Sequence, residues 1–277
     1  MSKVWFITGA SRGMGVEFAK AALAVGDKVV ATGRQRAAVA DALGESASLL
    51  VLAMDVNEPG APEAAIARAV AHFGRIDVLV NNAGYGMVGA FEETSAAELL
   101  HQFGTNVFGL AAVTRAMLPL MRQQRAGHIL NISSAAGVAG FPGASAYCAS
   151  KFAVEGLSES LAIEVAPLGI KVTIVEPGYF RTDFLSDSSV VFAATVIDDY
   201  DAFSGEMRRG AKALHGQQPG DPRKLAQALL ALVAAAQPPL RFNAGADSVG
   251  LLEQTLQSKR AELDTWRDLG LSLAHDA

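Results

Sequence analysis

The feature that most constrains this chain is a glycine-rich turn placed directly after its first strand-like run. Val4-Trp5-Phe6-Ile7 is continuously apolar up to Thr8, and Gly9-Ala10-Ser11-Arg12-Gly13-Met14-Gly15 follows at once. A continuous apolar run this short reads as a strand buried on both faces. The pattern from Val16 to Val25 then reads as a helix ended by Gly26. In such a strand–turn–helix unit, glycines let backbone approach a pyrophosphate, and the free N–H groups of the helix start attract its charge. The spacing G-x-x-x-G-x-G departs from the G-x-G-x-x-G dinucleotide fingerprint, so a turn used only for chain reversal remains an alternative. Gly9, Ser11, Arg12, Gly13, Met14 and Gly15 are the candidate phosphate contacts.

The rest of the chain repeats this rhythm of short β-branched runs and longer helical patterns. Strands are expected at 28–32, 48–54, 78–80, 128–133, 171–175 and 240–242. Helices are expected at 36–43, 63–73, from about 95, and at 107–124, 144–165, 222–236 and 247–269. That alternation predicts an α/β fold: a Rossmann-type, doubly wound parallel sheet with flanking helices. No repeat or linker divides it, so residues 1–277 are read as a single domain. The segment 179–220 has no sustained period and is expected to be a lid or binding loop, with 247–277 a helical tail.

Composition removes several classes of function. A net charge of -5 and the absence of clustered Lys and Arg argue against a nucleic-acid surface. Cys148 is the only cysteine, so no internal disulfide or thiolate cage can form, which fits a reducing cytoplasm. The five histidines lie far apart, and no metal site is expected. The most apolar helical stretch, 225–236, is too short and Ala-rich to span a bilayer, so no membrane partner is expected.

Two local patterns carry chemistry. Thr32-Gly33-Arg34 ends the second strand, where a site for NAD usually has an acid on the ribose 2′-hydroxyl. Arg34 and Arg12 would instead pair with a 2′-phosphate, so NADP(H) is expected over NAD(H). Tyr147 and Lys151 lie four apart on the 144–165 helix and share a face. A nearby ammonium would lower the phenol pKa from about 10 toward a working range for acid–base catalysis. Alone, that pair could equally be an exposed helix face. Its company decides otherwise: Asn131-Ile132-Ser133-Ser134 and Asn82-Ala83-Gly84 end strands at the same sheet edge as the Gly9–Gly15 turn.

Together these pieces resemble the short-chain dehydrogenase/reductase family. The matching residues are Thr8 to Gly15, Asp55, Asn81 to Gly84, Asn106, Ser134, Tyr147-Cys148-Ala149-Ser150-Lys151, and Pro177-Gly178 with Thr182. The resemblance covers about residues 3–182 and implies an NADP(H)-dependent oxidoreductase interconverting a ketone or aldehyde with an alcohol. It implies that Tyr147 exchanges the proton while nicotinamide exchanges hydride. Lys151 would lower the Tyr147 pKa and bond the nicotinamide ribose. Ser134, thirteen residues before Tyr147, would hold the substrate oxygen, with Ser133 the competing choice. Asn106 would hold a water linking Lys151 to solvent. The same resemblance puts Asp55 and Val56 on adenine, Asn82, Ala83 and Gly84 on its ribose, and Pro177, Gly178 and Thr182 beside nicotinamide. On position alone Asp55 could be a turn residue.

Candidate pocket walls are Tyr85, Met87, Val138, Phe141, Tyr179, Phe180, Phe184 and Phe192, with Ser134, Phe141, Tyr147 and Tyr179 as the substrate contacts. These walls suit a small-molecule carbonyl or alcohol with some hydrophobic bulk. Cys148 lacks a base and reads as a packing residue. Ala149, Ala153, Gly156 and Ser160 would allow close helix contact, and the family implies a homodimer or homotetramer. A catalytically silent nicotinamide-dinucleotide sensor on the same fold is the alternative reading.

Overall fold

The computed structural model describes residues 2–186 and 189–275, with residue 212 described by its backbone alone. Positions 187 and 188 of the expected lid, and 276 and 277 of the expected tail, lie outside the described residues. The chain runs β1 (Val4–Ile7), α1 (Gly13–Ala24), β2 (Lys28–Gly33), α2 (Arg36–Leu43), β3 (Leu49–Ala53), α3 (Ala61–Phe73) and β4 (Val78–Asn81). There follow β5 (Gly86–Val88), α4 (Ala96–Phe103), α5 (Leu110–Gln124), β6 (Gly127–Ile132), α6 (Ser145–Val165) and β7 (Ile170–Pro177). The last elements are β8 (Val190–Phe192), α7 (Glu206–Leu214), α8 (Pro222–Ala234), β9 (Arg241–Ala244) and α9 (Ala246–Leu271).

Seven strands form one parallel sheet in the order β3-β2-β1-β4-β6-β7-β9, the doubly wound arrangement. The period-two geometry of a strand explains the unbroken apolar runs. Trp5 and Ile7 enter the core on the α1/α8 face, while Val4 and Phe6 enter the core on the α3/α5 face. Both faces are covered, so each strand has no polar side to show. Chain order reverses between β1 and β4, and a crevice opens at their carboxyl ends.

Local signals set several boundaries. Ser95 and Glu98 form a reciprocal capping box: Glu98 N–H donates to Ser95 Oγ at 3.2 Å, and Ser95 N–H donates to Glu98 Oε2 at 2.8 Å. The helix expected from 107 begins earlier, because Gly104–Gly109 is a π-helical segment joining α4 to α5 without a break. Such widened turns are frequent at functional sites, and this one carries Asn106. The segment 179–220 is more structured than its sequence predicts. It contains β8 and α7, and β8 pairs with β5 in a small parallel ribbon, Met87 opposite Val191. Three-residue strands are below the length at which a period can be read, and their pairing is wholly tertiary. Among the described residues, no helix is long and apolar enough to cross a membrane, and no group of three or more His, Cys, Asp or Glu could hold a metal.

A buried polar chain ties the central strands to α5 and α6. Asn81 Nδ2 donates to Thr114 Oγ1 and to Asn131 Oδ1, both at 2.8 Å. Asn131 Nδ2 donates to Ser158 Oγ at 2.8 Å, and Ser158 donates to the Val154 carbonyl at 2.6 Å. Asn131→Ala leaves the Asn81 amide and Ser158 short of partners in a dry core. Its expected cost is about 1–3 kcal/mol of unfolding free energy, read from a urea midpoint, whereas an unchanged midpoint would deny this network a structural role.

Candidate active site

The glycine turn is held from behind by the end of β4. Asn82 Nδ2 donates to the carbonyls of Thr8 at 2.9 Å and Gly9 at 3.1 Å. In return Thr8 Oγ1 accepts from the backbone N–H of Asn82 at 3.0 Å and of Ala83 at 2.9 Å. Two glycines are sterically required. Gly13 sits at φ 59°, and a Cβ on Gly15 would lie 2.4 Å from the Gly9 carbonyl oxygen. Arg12 takes the N-cap position of α1 in extended geometry without a side-chain cap bond. These residues fit a dinucleotide's pyrophosphate.

Other expected cofactor residues fall around the same crevice. A Cβ on Gly33 would approach Ser11 Cβ at 3.6 Å, so Arg34, which is exposed, follows a strand end abutting the turn. Asp55 Oδ1 accepts from Asn57 N–H at 3.0 Å, the turn geometry left open above. Val56 is buried, with its side chain against Gly109. Thr182 lies over the turn, its Cβ 3.6 Å from where a Gly13 Cβ would stand, and its hydroxyl accepts from Phe184 N–H. Pro177, Gly178, Thr182 and Met14 all border the main cavity.

Tyr147 and Lys151 sit in the first turns of α6, beneath the strand end that carries Ser133 and Ser134. Lys151 is only 7% exposed; its Nζ donates to the Ile132 carbonyl at 2.9 Å and lies 5.7 Å from the Tyr147 ring centre. Burial pulls its pKa down to about 8, against the pull of the Glu155 carboxylate. Burial pushes the Tyr147 hydroxyl up to about 12, opposed by a hydrogen bond with Ser134. Burial dominates the phenol here, and the hydrogen bond with Ser134 is what opposes it. At neutral pH the phenol is a loaded proton donor beside a charged lysine. Ser134 Oγ accepts from Ala136 N–H at 3.1 Å, which leaves its O–H available to donate.

Asn106, 2% exposed, clasps the backbone of Tyr85: its Nδ2 donates to the Tyr85 carbonyl at 3.0 Å and its Oδ1 accepts from Tyr85 N–H at 3.1 Å. It also donates to Ser150 Oγ at 3.2 Å, and Ser150 in turn donates to the Tyr147 carbonyl at 2.7 Å. Asn106 thereby couples the connection between β4 and β5 to the first turns of α6.

Ser134 and Tyr147 open onto a cavity of about 860 Å³. Of the expected walls, Met87, Phe141, Tyr179, Phe180 and Phe184 line it. Tyr85, Val138 and Phe192 do not: Tyr85 packs on His101 with ring centres 5.5 Å apart, Phe192 lies under Arg208, and Val138 is buried beside the turn. Sequence reasoning missed Phe203, Met207, Leu214 and Leu251, because α7 and the start of α9 reach the cavity only through the tertiary path of the lid. Cys148 is buried among Ala136, Ala144, Phe141 and Met207, and burial raises its thiol pKa.

A second unforeseen feature lies behind the site. Glu155, one turn after Lys151, and Glu176, on β7, are 6% and 0% exposed and share Arg241, whose Nε is 3.3 and 3.4 Å from them. Glu159 also pairs with Arg241, and Asn243 donates to Glu176. Burial first, then the Glu155 charge, pushes Glu176 up to about 7; burial also raises Glu155. The folded protein thus retains a proton that the unfolded chain, with an ordinary value of 4.5, releases. Stability from this pair is full below about 4.5 and lost as pH rises through about 7. Glu176→Gln mimics the protonated form, so it should gain roughly 1 kcal/mol relative to the parent between about pH 5 and about pH 7.5 in urea unfolding. An unchanged pH slope would refute the shared proton.

Three comparisons bear on this geometry. The family model described as short chain dehydrogenase matches residues 3–190. A 3-ketodihydrosphingosine reductase of Bacteroides thetaiotaomicron is 39% identical over 245 residues, covering 88% of each chain. The crystal structure of a short-chain dehydrogenase from Streptomyces avermitilis superposes with a TM-score of 0.91 at 42% identity, covering 99% of this chain and 100% of that one. A 3-ketoacyl-(acyl-carrier-protein) reductase from Brucella melitensis, complexed with NADH, has a TM-score of 0.72 at 28% identity, covering 87% of this chain and 96% of its own.

Proposed function

The chain belongs to the short-chain dehydrogenase family, whose members here are NAD(P)-dependent oxidoreductases, and from that premise we propose that it interconverts a ketone or aldehyde with an alcohol, using NADP(H) over NAD(H). The observation that carries this reading is the junction of Ser134 and Tyr147 at the wall of an apolar cavity, with buried Lys151 behind them. The bound dinucleotide would supply hydride to the carbonyl carbon. Ser134 O–H donates to the carbonyl oxygen and orients it. Tyr147, protonated at neutral pH, passes its proton to that oxygen, and the Lys151 ammonium stabilises the phenolate left behind. The reductases among the compared proteins act on ketones by name, which supports the same bond.

Ser134 and Tyr147 on the cavity wall, with buried Lys151 behind them and Asn106 bonded to Ser150 of the same helix, argue against the silent sensor. Preference for NADP(H) is supported by Arg34 at the place of the missing acid and by exposed Arg12 on the turn. The Brucella reductase holds NADH, so the preference rests on these local residues. A homodimer or homotetramer is supported by exposed Phe152, Leu157 and Ile163 on α6. A cytoplasmic location is supported by the lone buried thiol.

Tyr147→Phe is expected to lower ketone reduction by about three orders of magnitude or more while NADPH still binds; undiminished turnover would remove the mechanism. Reduction by the parent enzyme should decline as pH rises past about 8, where Lys151 loses its charge. Arg34→Asp should shift the NADPH-to-NADH ratio of kcat/KM at least about tenfold toward NADH; tighter NADH binding by the parent would overturn the 2′-phosphate argument.

A further inference from the structure

The long helix α9 has two parts with different surroundings. Its first turns are bound to the body of the protein. Ser248 Oγ donates to the Glu176 carbonyl at 2.7 Å, the Asp247 carboxylate accepts from Tyr179 N–H at 2.7 Å, and Leu251 reaches the cavity. Beyond them, every residue from 256 to 275 is exposed, Leu256, Leu263 and Leu273 among them, and Trp266 is 66% exposed. The ion pairs on this arm, Asp264 with Arg260 at 2.8 Å and with Arg267 at 2.6 Å, are exposed and contribute little. A helix of this length is marginal in water unless an apolar face is covered, and Gly270 weakens it further.

The apolar residues of α9 are in register. Val249, Leu252, Leu256, Leu263, Trp266 and Leu273 fall on the a and d positions of a seven-residue repeat, with Lys259 and Gly270 at the two remaining places. The positions facing away from that seam between 254 and 268 hold only polar residues and Ala261. A repeat of seven matches a second helix with the same repeat, because both must supercoil to keep their seams together. A lipid surface suits this helix less well. From Ala246 to Leu271 it carries five acids to three bases, whereas an interfacial helix is rich in Lys and Arg.

We propose that α9 is a dimerisation arm, on which two copies of this chain pair as a parallel, in-register coiled coil along the 249–273 seam. In that pairing Glu262, at a g position, lies against the partner's Arg267, at an e position, once on each side of the seam. Lys259 lays its stem along the seam and carries its ammonium out to water. The seam runs about 36 Å. With a Trp, four Leu and a Val along it, it reaches the order of 800 Å² per partner that a stable interface covers. The helix follows β9, the edge strand of the sheet, so two bodies can stand side by side at the foot of the coil. This surface is separate from the exposed face of α6, and it does not depend on which reaction the protein performs.

Light scattering during size exclusion of the full chain, at micromolar protomer concentration, tests the arm. The double variant Leu256→Glu, Leu263→Glu is expected to have half the mass of the parent, with its far-ultraviolet circular dichroism and NADPH binding showing that the body remains folded. A short bis-maleimide should link two copies of Trp266→Cys, because that position meets its own copy only in a parallel pair and Cys148 is buried. A monomeric parent or a Trp266→Cys variant that does not cross-link would overturn the proposal. An unchanged mass in the double variant would do the same, and Ile163→Glu then shows whether the exposed face of α6 holds the copies together instead. So would a monomeric parent that co-sediments with phosphatidylcholine–phosphatidylserine vesicles through Leu256 and Leu263, since lipid would then be what covers the seam.

Discussion

The Asn82 side chain, bridging the ends of β1 and β4, is the contact on which the rest of the site depends. These two strands are neighbours at the point where the winding of the sheet reverses, so their carboxyl ends diverge into an open crevice. The Asn82 amide closes the back of that crevice through Thr8 and Gly9, while the Thr8 hydroxyl takes two backbone N–H groups in return. The loop is therefore held by the protein's own contacts, with its glycines and the start of α1 at the mouth of the crevice. The same strand end continues through Tyr85 into the clasp of Asn106, which reaches Ser150 on α6. The glycine turn and α6 are thus linked through one short stretch of backbone.

Desolvation sets the chemistry of that helix. Tyr147 and Lys151 are drawn apart in pKa, one toward about 12 and the other toward about 8, because burial penalises phenolate and ammonium alike. The result is a protonated donor beside a cation, suited to giving a proton to a carbonyl oxygen. The Glu155–Glu176 pair obeys the same physics one turn further on, where two carboxylates meet a single shared guanidinium and must keep a proton between them.

The cavity wall shows how far local pattern carries. Phe141, Tyr179, Phe180 and Phe184 were legible as wall residues because they flank strand ends whose position in a parallel sheet is predictable. Tyr85 and Phe192 belong to the same chain stretches, yet Tyr85 turns to His101 and Phe192 takes its place under Arg208. Which aromatic faces inward there depends on the β5–β8 ribbon and on Arg208, neither of which has a local signature. Met207 and Leu251 illustrate the converse: both line the cavity, but they arrive on helices whose docking is decided by contacts distant in the sequence.

By itself the sequence determined the elements of the main sheet and its flanking helices, though not β5, β8 or α7. Apolar runs too short for helices, glycines at fixed offsets after Thr8, and the spacing of Ser134, Tyr147 and Lys151 specify a parallel α/β sheet with a nucleotide crevice. Those properties are local, resting on strand period, steric limits at glycine and helix-face spacing, so they can be read without coordinates. Only the tertiary structure decided the charge states of Tyr147 and Lys151, the sharing of Arg241 by two buried acids, and the closing of the cavity by α7. Each of these depends on how much water the completed fold excludes around a group, and that quantity exists only once distant segments have packed together.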